Sequence, residues 1–316
     1  MKGYVRATVA ERLDVTHDLA VFKLDWGEPF SYEPGQYVTL ALDQDGRTVK
    51  RAYSIVSAPH EPQMELHIEH VADGALTPGL FALHPGDPVW ARRKIVGHFT
   101  QELSKQAHAM VATVTGAAPF ISMIRAQRHA LDTGVLAEAD ASRYLLLHGA
   151  SDPAELAPYA ADLADLAAVT DWLAYVPIVS RPWNHPGWTG ERGRVGDVLR
   201  KHLDAWTGRH GIAPARVVGY ACGNPQMIEH AKGIFKRAGL QAEFIRDEKY
   251  YTEDPPNPVH VFDAAGAQVA ARQAKPSGGA KPKGPGKRPP LPPGLAKLKA
   301  VKPGRTGGAP PRTSRS

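Results

Sequence analysis

The chain has 316 residues, with 38 basic and 32 acidic side chains and a formal net charge of +6. No Asp or Glu follows Asp263, whereas twelve Lys and Arg do, so residues 1–263 carry −6 and the remainder +12. That split removes the usual inference from a basic chain to a nucleic-acid-binding body, and the single cysteine, Cys222, excludes an intrachain disulfide framework or a Cys-ligated iron–sulfur or zinc site within the chain.

Met1 to Asp14 mixes charged and apolar residues without an apolar h-region, so no secretory signal is expected. No run of 18 apolar residues occurs, so no membrane span is expected and a cytoplasmic setting is the natural expectation. Residues 1–101 read as β-rich. Short alternating runs cover Tyr4 to Val9, Leu19 to Leu24, Tyr37 to Leu42, Ala52 to Ser57 and Met64 to Val71, with turn residues between them. The spacing predicts a closed antiparallel barrel or sandwich, interrupted by one short helix near Thr77 to Leu83.

From about residue 105 to 255, apolar β-like runs alternate with helical patterns. The runs are Ala109 to Thr115, Tyr144 to Gly149, Trp172 to Val179, Val217 to Cys222 and Ala242 to Ile245. Helices are predicted around 119–132, 153–167, 195–206 and 225–238. This alternation implies an α/β domain with a parallel sheet covered on both faces. Residues 256–316 lose the pattern. Positions 271–316 hold 10 Pro and 8 Gly with few large apolar residues, so a disordered basic tail is expected. Such a tail suits nucleic acid, an anionic membrane, an acidic protein partner, or simple solubilisation.

The sharpest local pattern in the barrel is Arg51-Ala52-Tyr53-Ser54. Arg offers a fixed fork of donors for phosphate, Tyr a flat ring with a polar tip, and Ser a small hydroxyl for a ring nitrogen. An ordinary strand carries surface Arg and Tyr too. A second segment, Gly74-Ala75-Leu76-Thr77-Pro78, starts a helix with Thr77 as N-cap and Pro78 in the first helical position. A helix beginning there turns free N–H groups and a positive dipole end outward, which suits a diphosphate.

These two segments together resemble the FAD-binding motifs of the ferredoxin–NADP(+) reductase family. The resemblance implies that Arg51 contacts the FAD pyrophosphate, Tyr53 packs on the isoalloxazine beside Ala52, and Ser54 lies near its N5. It assigns the diphosphate to Gly74, Ala75, Leu76 and Thr77, and the adenosine half to the strand of His67, Ile68 and Glu69.

The first strand of the second domain runs into Thr113-Val114-Thr115-Gly116-Ala117-Ala118-Pro119, a strand, small-residue turn and helix start. The common G-x-G-x-x-G fingerprint is absent. The segment resembles the T-G-T-G-x-A-P motif of the same family, with Val114 standing where a Gly is usual. Thr115, Gly116 and Pro119 are thereby implied to hold a nicotinamide dinucleotide. Cys222-Gly223-Asn224-Pro225-Gln226-Met227 resembles the family's C-G-x-P-x-M motif, whose Cys faces the nicotinamide C4. A lone Cys is more often a core residue, but a strand C-terminus in an open α/β sheet is where ligands bind.

Ser180 and Arg181, then Arg194, match segments that bind the NADP 2′-phosphate in the family, with Pro182 replacing an acidic residue. Glu248, Tyr250 and Tyr251 resemble its terminal E-x-Y segment, whose aromatic covers the flavin or adenine. The whole resemblance spans residues 1–251. It implies FAD and NADP as cofactors, hydride transfer between nicotinamide C4 and flavin N5, and Ser54, Cys222, Glu248 and Tyr250 around the reacting atoms. The implied partner is ferredoxin or flavodoxin, for which Arg92-Arg93-Lys94 and Lys50 form a candidate dock. A reductase feeding an oxygenase or a free flavin is the alternative.

Overall fold

The structure is a computed structural model that describes residues 2–28, 30–44 and 47–249. The expected tail, 256–316, and both candidate tyrosines, Tyr250 and Tyr251, lie outside the described residues.

The first half forms six antiparallel strands: β1 (Tyr4–Asp14), β2 (Leu19–Asp25), β3 (Tyr37–Gln44), β4 (Arg47–Ser54), β5 (Met64–Glu69) and β6 (Pro88–Arg92). Their order is β4-β3-β6-β1-β2-β5. Alternation drives the curl. In β1, Val5, Ala7 and Val9 are buried while Arg6 and Thr8 face out, and the same face of the sheet gathers Phe22, Trp26, Leu40 and Leu66 into one core. Just past β4, Ile55 bridges Leu66 of β5, so the two outer strands of the sheet meet. The short helix α1 spans Thr77–Phe81. The sequence pattern missed β6, whose five residues begin at Pro88 and end at Arg92, leaving only a short apolar run between them.

The second half is a parallel sheet in the order β10-β9-β8-β7-β11-β12. Its strands are β7 (Ala107–Thr113), β8 (Arg143–Ala150), β9 (Leu173–Val179), β10 (Glu191–Arg192), β11 (Val217–Gly223) and β12 (Ile245–Lys249). Alternate residues of β7 serve opposite faces. Met110 and Ala112 join Phe120, Ile124, Tyr159 and Leu163 of helices α2 (Ala118–Asp132) and α3 (Pro153–Val169). Ala109 and Val111 join Leu199, Leu203, Ile228 and Phe235 of α4 (Val195–His210) and α5 (Pro225–Arg237). Helix starts follow the sequence. Asp152 and Glu155 form a capping box on α3, and the Asn224 side chain accepts from the N–H groups of Gln226 and Met227 on α5.

Several boundaries differ from expectation. The strand expected over residues 52–57 spans Arg47–Ser54 as β4, the one expected over 64–71 ends at Glu69, and three further differences stand out. β7 ends at Thr113 rather than residue 115, because Val114–Ala117 coils into one 3₁₀ turn. The strand expected over 242–245 begins at Ile245, after a 3₁₀ turn at Ala242–Phe244. Thr77 is the first residue of α1 rather than its cap. Its Oγ1 instead accepts from Val71 N–H and donates to Val71 C=O, both at 3.0 Å, closing the loop that precedes the helix.

Strand order reverses beside β7: the chain first adds β8, β9 and β10 on one side, then β11 and β12 on the other. The C-terminal ends of β7 and β11 therefore flank the crevice where open α/β sheets bind ligands. The two halves are pinned together near it. Ser122 Oγ on α2 donates to Ser57 C=O at 2.6 Å, and Arg125 Nη1 donates to Glu65 Oε2 at 3.1 Å.

Candidate active site

The crevice is lined by two segments that interlock through glycine. A Cβ at Gly116 would lie 2.3 Å from the Cys222 carbonyl oxygen, and one at Gly223 would lie 2.2 Å from Thr113 Oγ1. Gly223 also holds φ at 122°, a conformation that side chains resist. Asn224 N–H donates to Thr113 Oγ1 at 2.9 Å, tying α5's start to β7's end. Gly116→Ala must push these backbone segments apart. We expect it to destabilise by about 2–3 kcal/mol, roughly 5–10 °C in melting temperature. An unchanged calorimetric melt would show that the contact is loose.

Three of the four residues singled out for chemistry converge at one point. Ser54, the last residue of β4, donates its hydroxyl to Glu248 Oε1 on β12 at 2.9 Å, across 194 positions of sequence. Glu248 is paired in register with Cys222 of the neighbouring β11. Ser54 is buried and Glu248 half-buried. Burial raises the Glu248 pKa, and the Ser54 hydrogen bond opposes that rise. Cys222 itself is fully buried, within the core cluster that holds Phe120 and Tyr220.

On the barrel side, Arg51 and Ala52 are exposed. Arg51 donates only to the Lys50 carbonyl and has no carboxylate partner among the described residues. The Tyr53 ring packs on the barrel core, yet its buried hydroxyl has no hydrogen-bond partner among the described residues. A guanidinium with no carboxylate partner beside an orphaned phenol fits a flat, polar-edged ligand with a phosphate arm. His67 and Ile68 are buried, so their side chains face protein; of that trio only Glu69 is exposed. Gly74 and Ala75 lead into α1, where buried Leu76 supplies no side-chain cap to the first turn.

Thr115, Gly116 and Pro119 are buried in the turn and first turn of α2. Ser180 directly follows β9, where its N–H donates to Ala150 C=O. Arg181 comes next, and Arg194 immediately precedes α4. Both arginines are exposed and have no acidic side-chain partner among the described residues. Arg192, also exposed, donates its Nη2 to the Trp188 carbonyl. Sequence reading missed Trp183, which sits 74% exposed two positions after Arg181. A large apolar ring inside a polar, Pro-rich segment was the available signal.

Among the described residues no helix is long and apolar enough to cross a membrane, and no group of three or more His, Cys, Asp or Glu is placed to hold a metal.

Comparison with known proteins gives two family matches. Residues 6–100 match an oxidoreductase FAD-binding domain, and residues 110–233 match an oxidoreductase NAD-binding domain. The chain is 31% identical over 232 residues to the ferredoxin–NADP reductase of Azotobacter vinelandii, covering 70% of this chain and 84% of that one. It is also 31% identical over 254 residues to the reductase component of a phenol 2-monooxygenase from a Pseudomonas species, covering 78% of this chain and 65% of that one. Among solved structures it resembles a Neisseria gonorrhoeae ferredoxin NADP+ reductase, with a TM-score of 0.67 and 20% identity over 79% of this chain and 100% of the other.

Proposed function

The chain belongs to the ferredoxin–NADP(+) reductase family, and from that premise we propose that it moves electrons between NADP(H) and a separate one-electron carrier such as ferredoxin or flavodoxin. The observation that carries this reading is the Ser54–Glu248 hydrogen bond, which closes the flavin-side motif onto the strand beside Cys222. FAD, when bound, would supply the two-electron and one-electron chemistry. The chain's residues hold and orient.

Arg51 and the residues leading into α1 would hold the FAD diphosphate, and Tyr53 would offer its ring and its unpartnered hydroxyl to the flavin. Thr115, Gly116 and Pro119 admit the dinucleotide diphosphate to the start of α2. Ser54 has one proton to donate and gives it to Glu248 while no better acceptor is at hand. A ring nitrogen arriving in the crevice competes for that proton, and Glu248, held partly toward its neutral form by burial, can then accept or supply one. Cys222 packs the floor of the crevice next to Glu248. We carry the role of the family's terminal aromatic over to Tyr250, which lies outside the described residues.

NADP is favoured over NAD by Arg181 and Arg194, two exposed guanidinium groups at the ends of β9 and α4 with Ser180 between sheet and loop. Arg181→Ala and Arg194→Ala should each raise KM for NADPH about tenfold and leave KM for NADH within twofold. Equal losses with both nucleotides would remove the 2′-phosphate assignment.

The single cysteine cannot by itself ligate an iron–sulfur cluster within these residues, and we take the acceptor to be a separate carrier. Arg92, Lys94 and Lys50 are exposed and basic, which suits an acidic carrier, while Arg93 is already paired with Glu28 at 2.5 Å. The likeness to an oxygenase reductase component favours a second reading, delivery of electrons to an oxygenase system. Steady-state rates with ferredoxin, flavodoxin and free FMN as acceptors separate them: saturation by a protein carrier supports the first, and turnover with FMN alone contradicts it.

A further inference from the structure

Val114 is the only described non-glycine residue with a positive φ, at 45°. A β-branched side chain in the left-handed region is strained. The strain sits at the first residue of the turn between β7 and α2, and something must hold it there. Two contacts do. The Val114 side chain packs on the small cluster of Ala150, Leu156 and Val179. Its carbonyl oxygen accepts from His148 Nε2 at 3.0 Å.

His148 is fully buried on β8, in register with Ala112 of β7. Its other nitrogen, Nδ1, lies 3.3 Å from the Tyr175 hydroxyl on β9. With Nε2 committed as a donor, Nδ1 must accept, so the tyrosine donates and one neutral tautomer satisfies every partner. Burial also holds the imidazole's pKa down, to about 4.

We propose that His148 is the positioning residue of the dinucleotide turn: its Nε2–H clamps the Val114 carbonyl and keeps residue 114 left-handed, which sets the path of Thr115 and Gly116 into α2. The chain thereby does with a buried histidine, locked in tautomer by Tyr175, what a glycine at position 114 would do unaided. This rests on the reading that the turn receives NADP.

The test is a cycle in the full-length flavin-loaded protein, with NADP+ affinity read from the flavin difference spectrum and stability from thermal unfolding. His148→Leu should weaken NADP+ binding about tenfold, the loss of one net hydrogen bond's worth of positioning, with flavin content unchanged. His148→Gln, which keeps a donor, should recover most of that loss. Val114→Gly should bind NADP+ at least as well as the parent. The double variant Val114→Gly, His148→Leu should bind NADP+ within twofold of the parent even if its melting temperature stays low, because glycine holds the turn without the clamp. A double variant as weak as His148→Leu alone overturns the proposal, as does an unimpaired His148→Leu. Gly116→Ala separates the premise: if it too leaves NADP+ affinity unchanged, the turn is not the nucleotide site and the underlying reading fails.

Discussion

Replacing Ser54 by alanine is expected to slow flavin reduction by NADPH about a hundredfold while leaving FAD bound. The hydroxyl is buried at the crevice between barrel and sheet, and its one proton is directed at Glu248 over 2.9 Å. A donor fixed where charge develops, in a site from which water is largely excluded, is worth about 10²-fold in rate. The ground-state structure should survive, because only one hydrogen bond between the halves is lost, and Ser122–Ser57 and Arg125–Glu65 remain. Glu248→Gln should act differently. It keeps an acceptor for Ser54 but removes the titrating group, so the rate becomes insensitive to pH across the range where Glu248, its pKa raised by burial, changes protonation. Rapid mixing under anaerobic conditions reads both effects. A Ser54→Ala rate within twofold of the parent would reduce Ser54 to a contact between barrel and sheet.

Acid should destabilise the fold well above the range where carboxylates are lost. Burial lowers the pKa of His67 to about 3, of His108 to about 3 and of His148 to about 4. In the unfolded chain each titrates near 6.5. Below that pH the unfolded state takes up protons that the folded state refuses, so stability falls as pH falls. Three such groups give up to about 4 kcal/mol per pH unit between roughly pH 6 and 4, since one pKa unit is worth about 1.4 kcal/mol. Glu61 and Glu248, whose pKa values are raised by burial, take protons earlier in the folded state and offset part of the loss. Two units of acidification therefore consume most of the stability of an ordinary domain. Thermal melts should drop steeply from pH 6.5 to 4.5, and a melting temperature flat over that interval would contradict the buried neutral histidines.

The parts of this protein that repeat a local period were legible in its sequence. Helices α2 to α5 begin within one residue of their expected starts, because Asp152, Pro153, Asn224 and Pro225 mark N-termini chemically. Alternation along β1 and β3 gave barrel strands whose buried faces match. What failed was decided by tertiary contact. Thr77 has the composition of a cap but spends its hydroxyl on the Val71 backbone. Val114 and Thr115 look like strand residues, yet the close approach of Gly116 to Cys222 turns the chain before them. The Ser54–Glu248 pair joins positions 194 residues apart; the family resemblance put both around the reacting atoms, but the hydrogen bond between them comes only from the fold. His148 reads as one more residue in an apolar strand until Val114, whose carbonyl it holds, is seen with a positive φ.

The central claim is that one chain binds FAD in the barrel and lets NADPH reduce it across the Ser54–Glu248 crevice. The most direct measurement is an anaerobic titration of the purified full-length protein with NADPH, followed by visible absorbance. A flavin spectrum that bleaches at about one equivalent of NADPH, and only at higher concentration with NADH, is the predicted result. A protein that carries no flavin and takes up none when FAD is added, or a bound flavin that NADPH leaves oxidised, would contradict it.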